Sequence, residues 1–103
     1  MNDKTTHPLI RLDALKPGHT HRVEHDGKGL LLCRVGDSVH AVDDTCTHDD
    51  VSLSLGALCK YRLRCPLHGS EFDIRTGQVL NEPAEQNLKV HSVAVVAGWV
   101  CLT

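Results

Sequence analysis

The sequence predicts a small all-β domain, an antiparallel sandwich or barrel that carries an inserted segment of different character. Short apolar runs alternate with polar residues at the period of a β-strand, and Gly-rich turns separate them. No stretch keeps a helical period over the length that a helix needs. With 103 residues the chain is long enough for one domain and too short for two ordinary ones. We expect the domain to span residues 8–103, after a flexible tail of residues 1–7.

The first half of the chain predicts a series of strands joined by tight turns. A strand is expected in "LIRLDAL", running into a helical turn that "KPG" ends, and a second strand in "HTHRVEH". The residues "DGKG" predict a hairpin turn. The clearest hairpin consists of the strand "LLLCRV", the turn "GD" and the strand "SVHAV". Because the run from Leu30 to Val35 is almost continuously apolar, we expect this strand to be covered on both faces.

The segment from about residue 43 to residue 80 has a different pattern, with shorter and more polar runs. This change indicates a subdomain that is inserted between the strands of the base. Near its end, "RTG" predicts a hairpin turn. After it, "NLKVHSVAVV" predicts one long alternating strand, and "AGWVCL" predicts the closing strand.

Composition excludes several classes of function. The formal net charge is −2 and no cluster of Lys or Arg stands out, so the chain has no basic surface for nucleic acid. The N-terminus lacks the apolar core of a signal peptide, and the longest apolar run is too short to span a bilayer, so we expect a cytoplasmic protein without a membrane partner. Five cysteines in a reducing compartment do not indicate a disulfide framework, and an odd number cannot all pair internally.

Two Cys/His pairs stand inside the inserted segment. They read Cys46-x-His48 and Cys65-x-x-His68, and together they offer four metal ligands on two loops. A structural zinc site with two Cys and two His is one interpretation, although zinc sites usually place both Cys on one knuckle and both His on another. The other interpretation is a binuclear iron–sulfur cluster in which two His replace two Cys on one iron.

The residues "CTH…CPLHGS…F" resemble the signature of the Rieske family, and the resemblance extends from about residue 10 to residue 102. It is strongest to the small Rieske ferredoxins of bacterial aromatic-ring-hydroxylating dioxygenase systems, of the biphenyl, naphthalene and carbazole types. The resemblance implies a Rieske-type base with an inserted cluster-binding subdomain and one 2Fe–2S cluster. It further implies that the cluster ligands are Cys46, His48, Cys65 and His68. Pro83 corresponds to the proline loop that covers the cluster. In this family both Cys bind the inner iron, and both His bind the outer iron near the surface.

The resemblance also implies a low reduction potential. High-potential members carry an additional disulfide between the two loops, where this chain has Val51 and Leu67. They also donate hydrogen bonds to sulfur from a Ser and a Tyr, and here Ser70 is kept while Phe72 takes the place of the Tyr. We therefore expect a potential of about −150 mV, at the low end of the Rieske range.

The function that the resemblance implies is transfer of single electrons, with no catalytic site in this chain. The expected partners are a flavin-containing ferredoxin reductase and a terminal Rieske non-haem iron oxygenase, both bound transiently. The alternatives are the small subunit of a nitrite reductase and a zinc-stabilised binding module without a redox role. Six acids flank the Cys/His loops and the proline loop and form either a solvated rim or a docking surface, namely Asp43, Asp44, Asp49, Asp50, Glu82 and Glu85.

The remaining cysteines and the single Trp are expected to have no part in the metal site. Cys33 and Cys101 lie in apolar strands and are expected to be small core residues. Cys59 has no matching ligand, and Trp99 is expected to pack in the core or between strands.

Overall fold

The computed structural model describes residues 7–47, 50–67, 69–82 and 84–103, and it confirms the all-β prediction. The ten strands are β1 His7–Arg11, β2 Thr20–His25, β3 Lys28–Val35, β4 Ser38–Asp43, β5 Ala57–Cys59, β6 Arg62–Arg64, β7 Glu71–Asp73, β8 Val90–His91, β9 Val93–Val96 and β10 Trp99–Leu102. The described residues contain two helical segments, the 3₁₀ turns Leu12–Ala14 and Leu53–Leu55. No helix in these ranges is long and apolar enough to cross a membrane.

Two antiparallel sheets form the base. One has the strand order β2-β3-β4-β8 and the other has the order β1-β10-β9. The turn between β2 and β3 follows the prediction from "DGKG", since Asp26 and Gly27 both have positive φ angles, of 53° and 76°. Two such residues make the turn whose twist matches that of a hairpin. Strand β1 begins at His7, opposite Leu102 of β10.

Strand β3 lies between two apolar cores, as its sequence predicts. Leu32 packs with Ala41 and Val100 in a cluster between the two base sheets. Leu31 and Cys33 belong to a second cluster, which extends into the inserted segment. Because successive side chains of a strand point to opposite faces, an uninterrupted apolar run fills both cores at once.

The inserted segment forms its own three-stranded sheet with the order β5-β6-β7. Leu63 of β6 pairs with Phe72 of β7, and both are fully buried in the second core cluster. Phe72 also forms an isolated bridge with Val79, which follows β7, so the chain turns back where "RTG" predicts a hairpin. This small sheet therefore shares its core with one face of the base.

The prediction of one long strand in "NLKVHSVAVV" is wrong. The chain forms two short strands that are interrupted at Ser92, and they belong to different sheets: β8 pairs with β4, and β9 pairs with β10. The apolar positions shift by one residue at the break, from Leu88 and Val90 to Val93 and Val95, and this change of phase across Ser92 is the signal that the prediction missed. At the crossing, Ser92 accepts hydrogen bonds from the backbone N–H of Thr103 at 3.0 Å and from its hydroxyl at 2.7 Å.

Candidate metal centre

The two motif cysteines are both buried, and they share one apolar core. Cys46 is 3% exposed and Cys65 is 2% exposed. Cys46 follows β4 by three residues, and Cys65 directly follows β6, so the base sheet delivers one and the small sheet the other. Both belong to the second core cluster. His48 and His68 lie outside the described residues.

The first Cys/His loop, residues 45–52, is closed at its base by the bridge between Thr45 and Ser52. Inside that bridge, the N–H of Cys46 donates to the carbonyl of Val51 at 3.0 Å. Val51 is partly buried and packs against the second core cluster. The backbone of the loop is therefore held on both sides of the stretch that contains Cys46 and His48 in the sequence.

The prediction that Asp44 belongs to an acidic rim is wrong, because Asp44 is a buried carboxylate at the base of the first loop. It is 3% exposed, and its Oδ2 accepts a hydrogen bond from Arg22 Nε at 3.0 Å. The same oxygen accepts from the hydroxyl of Ser52, and Oδ1 accepts from the N–H of Ser54 at 3.0 Å. The hydrogen bond to Asp44, followed by that to Glu24, raises the pKa of Arg22.

The other acids of the predicted rim differ in how far they are exposed. Asp43 is half-buried, with Oδ1 lying 2.7 Å from His91 Nε2 and Oδ2 lying 3.5 Å from Lys28 Nζ. Three acids are exposed, namely Asp50, Glu82 and Glu85. Asp49 lies outside the described residues. An exposed acidic rim therefore consists of fewer residues than the sequence suggests.

The second Cys/His loop, residues 65–70, is closed by a hydrogen bond from the N–H of Cys65 to the carbonyl of Ser70 at 2.8 Å. Gly69 has a φ of +78°, which favours glycine, and the guanidinium of Arg64 lies so close that a Cβ on Gly69 would meet Nη2 at 3.0 Å. Leu67, at the place of the family's additional Cys, is 57% exposed.

The segment of residues 81–87, which contains the predicted proline loop, is bound by hydrogen bonds to both Cys/His loops. The Thr47 hydroxyl donates to the carbonyl of Gln86 at 2.7 Å, and the N–H of Ala84 donates to the hydroxyl of Ser70 at 3.0 Å. Ala84 is buried in the same core cluster as both motif cysteines. Pro83 itself lies outside the described residues.

Ser70 and Phe72 differ in their ability to donate a hydrogen bond to sulfur, as the sequence predicts. Ser70 is buried, and its hydroxyl accepts the Ala84 hydrogen bond, which leaves its own proton for a second partner. Phe72 is fully buried and brings no hydroxyl. Only Ser70 of this pair can therefore donate a hydrogen bond to sulfur.

The other cysteines lie where the sequence places them. Cys33 and Cys101 are buried, and burial together with the nearby charge of Asp44 raises the pKa of Cys33 to about 12. A thiol with that pKa stays protonated and is a poor metal ligand. Cys59 is exposed. Trp99 is 38% exposed and so is no core residue, and the guanidinium of Arg11, its partner on the neighbouring strand β1, lies 5.6 Å from its ring.

The donor set fits an iron–sulfur group. Two buried cysteines in an apolar cluster give two soft ligands, and burying them as thiolates requires a positive partner. Each has a histidine two or three residues later in the sequence, which supplies one imidazole per loop. Among the described residues, which do not include His48 and His68, no group of three or more His, Cys, Asp or Glu could hold a metal.

Comparison with known proteins identifies a family for this chain. Residues 5–93 match the family described as Rieske [2Fe-2S] domain. The chain is 40% identical over 87 residues to the ferredoxin CarAc of Metapseudomonas resinovorans, covering 84% of this chain and 81% of that one. It is 35% identical over 86 residues to the ferredoxin component of the naphthalene 1,2-dioxygenase system of Pseudomonas putida, covering 84% and 83%.

A solved structure supports the same assignment. It is a complex of reduced oxygenase and oxidised ferredoxin in carbazole 1,9a-dioxygenase, and the similar chain in it has a TM-score of 0.90 at 35% identity, covering 97% of this chain and 94% of that chain. The fold, the paired buried cysteines and these similarities agree, and this chain belongs to the Rieske [2Fe-2S] domain family.

Proposed function

We propose that this chain is a Rieske ferredoxin that carries single electrons to the terminal oxygenase of an aromatic-ring-hydroxylating dioxygenase system. It is the electron-transfer component and not the catalytic one. The observation that carries the proposal is the similarity over more than four-fifths of the chain to ferredoxin components of carbazole and naphthalene systems. The similar ferredoxin chain that is seen in complex with an oxygenase supports the choice of partner.

We further propose Cys46, His48, Cys65 and His68 as the ligands of one 2Fe–2S cluster. The burial of both cysteines and their equivalent hydrogen-bonded loops support this assignment. When bound, such a cluster supplies a one-electron acceptor whose potential is raised by the neutral imidazoles relative to a centre with four thiolates. The protein holds the thiolates inside the apolar core and keeps water from them, while the two loops and residues 81–87 form the cover.

The first test is the visible spectrum of the purified protein and the low-temperature EPR spectrum after reduction with dithionite. A rhombic signal with an average g below the free-electron value would support the mixed Cys/His cluster. His68→Ala should abolish this signal, whereas Cys59→Ser is the matched control, because Cys59 is exposed and is proposed as no ligand. A colourless, EPR-silent protein with bound zinc would overturn the proposal and favour the zinc-stabilised module.

The second test addresses the partners. We propose a flavin-containing reductase as the electron donor, and reduction should follow from NADH when such a reductase is added. The reduced protein should then be reoxidised by a terminal Rieske non-haem iron oxygenase. Contacts with both should be small and transient, because a carrier must leave each partner quickly. Reoxidation by a nitrite reductase and by no oxygenase would favour the nitrite reductase subunit instead.

The division of the chain into a base and a cluster-binding subdomain of about residues 43–80 is likewise a proposal. The separate sheet β5-β6-β7 supports it, whereas the shared second core indicates that the two parts fold together. Cytoplasmic location stays a prediction from the sequence.

A further inference from the structure

An ion pair between the buried Asp44 and the partly exposed Arg22 stands beside the first Cys/His loop, and electron transfer as described above gives it no role. Asp44 lies two residues before Cys46, and its carboxylate accepts three hydrogen bonds from described residues. One comes from Arg22 of β2, which is 22 residues earlier in the chain. The other two come from Ser52 and Ser54, at the far end of the loop. The carboxylate thus joins both ends of the loop to the base sheet.

The backbone of Asp44 also forms hydrogen bonds to the base sheet and to the residues that follow the loop. Its N–H donates to the carbonyl of Gly29 at 3.0 Å, which binds it to β3. Its carbonyl accepts from the N–H of Leu53 at 2.6 Å, which binds it to the 3₁₀ turn after the loop. Leu53 is buried in the same core cluster as Cys46. A displacement of Asp44 would therefore disturb both Gly29 of β3 and Leu53 after the loop.

The base sheet is shaped to admit the Arg22 side chain. The guanidinium crosses the backbone of Gly29, and a Cβ at that position would lie 2.6 Å from Nη2. The φ angle of Gly29 is not positive, so no unusual backbone conformation calls for glycine here. The lack of a side chain instead leaves room for the guanidinium of Arg22. On its outer side Arg22 also contacts Glu24, with Nη1 and Oε2 3.3 Å apart and Glu24 largely exposed. Arg22 therefore has one buried and one solvated acidic partner.

The charge of Asp44 acts inside the protein and is little screened. A buried carboxylate interacts with nearby groups through a medium of lower dielectric constant than water. Burial first, and then the charge of Asp44, raise the pKa of Cys33, which belongs to the same core cluster as Cys46 and Cys65. Reduction adds one negative charge to the cluster, so a fixed negative charge two residues before Cys46 opposes reduction and a neighbouring positive charge favours it.

We propose that Asp44 is a positioning residue for the first Cys/His loop and that Arg22 balances its charge, so that the pair sets how firmly the loop retains the cluster and at what potential the cluster accepts an electron. This rests on the proposed cluster assignment and not on the identity of either partner.

The test compares midpoint potentials and cluster retention in the holoprotein of four variants. Asp44→Asn removes the negative charge and turns an amide N–H₂ toward donors, so its midpoint should rise. Arg22→Gln leaves the carboxylate unbalanced, so its midpoint should fall, and Arg22→Lys should restore it in part. Glu24→Gln is the matched control: it removes an ion pair of the same Arg22 on the solvated side and should leave the midpoint unchanged.

Opposite shifts of the midpoint are the decisive result, because loosening of the loop alone would move both variants in the same direction. The release of the cluster, followed by loss of visible absorbance under a chelator, should be about tenfold faster in Asp44→Asn, since a hydrogen-bond network at a buried carboxylate is lost. Amide hydrogen exchange of Cys46 and Leu53 should accelerate in the same variant. If Asp44→Asn yields no folded protein, Arg22→Gln and Ser52→Ala carry the test, because Arg22 is 41% exposed and its removal leaves the core intact.

Shifts in the same direction, or shifts no larger than that of Glu24→Gln, would overturn the inference. Such a result leaves the wild-type EPR spectrum intact and so does not touch the proposed function. Conversely, a wild-type protein without a Rieske signal would overturn the proposed cluster itself. The two failures are therefore distinguishable in one set of samples.

Discussion

Gly56 is the position at which the smallest change should have the clearest effect on the site. It lies between the 3₁₀ turn Leu53–Leu55 and β5, and a Cβ built on it would lie 1.9 Å from the carbonyl oxygen of Arg64. Contacts of a Cβ under 3.0 Å are essentially never observed. Because the opposing atom is backbone, no side-chain rotation relieves the clash, and Gly56→Ala must separate the two segments by about 1 Å.

This displacement of the backbone affects Arg64, the residue that precedes Cys65. Ala57 pairs with Arg64 at the start of the β5–β6 ladder, so the opening disturbs this pair first. Overpacking of a close contact costs about 1–3 kcal/mol, and we expect a loss of about 2 kcal/mol in the free energy of unfolding. In a chain of this size that corresponds to a melting temperature lower by about 10 °C. The displaced Arg64 also moves Cys65, so cluster content should fall as well.

The assay is a thermal melt followed by circular dichroism, together with iron content per chain. Gly36→Ala is the matched control, since its Cβ would have nothing within 4 Å but its φ is +58°. It should cost about 1–2 kcal/mol through backbone strain alone and keep its full iron content. A Gly56→Ala protein with wild-type melting temperature and full iron would refute the argument from close approach.

Three further predictions concern potential, pH and docking. Phe72→Tyr should raise the midpoint potential by about 60 mV, measured by protein-film voltammetry, because one hydrogen bond to sulfur is worth about 1.4 kcal/mol in a one-electron couple; an unchanged midpoint would mean that the hydroxyl does not reach sulfur. Burial, and then the charge of Arg75, lower the pKa of His40 from 6.5, so the unfolded chain takes up the proton first and stability should fall as the pH drops below 6.5 toward the folded pKa. Urea titrations across that pH range should show a free energy of unfolding that depends less steeply on pH in His40→Gln than in the wild type. An identical pH dependence would contradict the assignment. Reversing the charges of Asp49 and Asp50 to Lys should slow reduction by the partner about tenfold at low salt and less at high salt; an unchanged rate would indicate a solvated rim without a docking role.

Local chemistry explains why much of the fold is predictable from the sequence. The turn at Asp26 and Gly27 and the strand that is apolar on both faces depend on a few adjacent residues, and both are confirmed. The burial of Cys46 and Cys65 agrees with their place in the motif, although the ligand roles of the histidines stay a prediction.

Features that depend on distant segments were not predictable in this way. Asp44 stands among other acids in the sequence, and its burial and its contact with Arg22, across 22 residues, show that it is not a rim residue. The signals that could have revealed it are weak: two serines after the loop and a glycine in β3 that leaves room for a guanidinium. The break at Ser92 does have a local signal, the shift of the apolar positions from Leu88 and Val90 to Val93 and Val95, but the sheet that each half joins depends on distant strands.

The hydrogen bonds from residues 81–87 to the two Cys/His loops have a consequence for the order in which the protein folds. The bond between Thr47 and Gln86 spans 39 residues, and that between Ser70 and Ala84 spans 14. The hairpins β2–β3 and β3–β4, in contrast, close through turns of adjacent residues. Since contacts between distant residues form more slowly than local ones, the base hairpins should be complete while the metal centre is still open. We therefore expect iron and sulfide to reach the two Cys/His loops before residues 81–87 close over them.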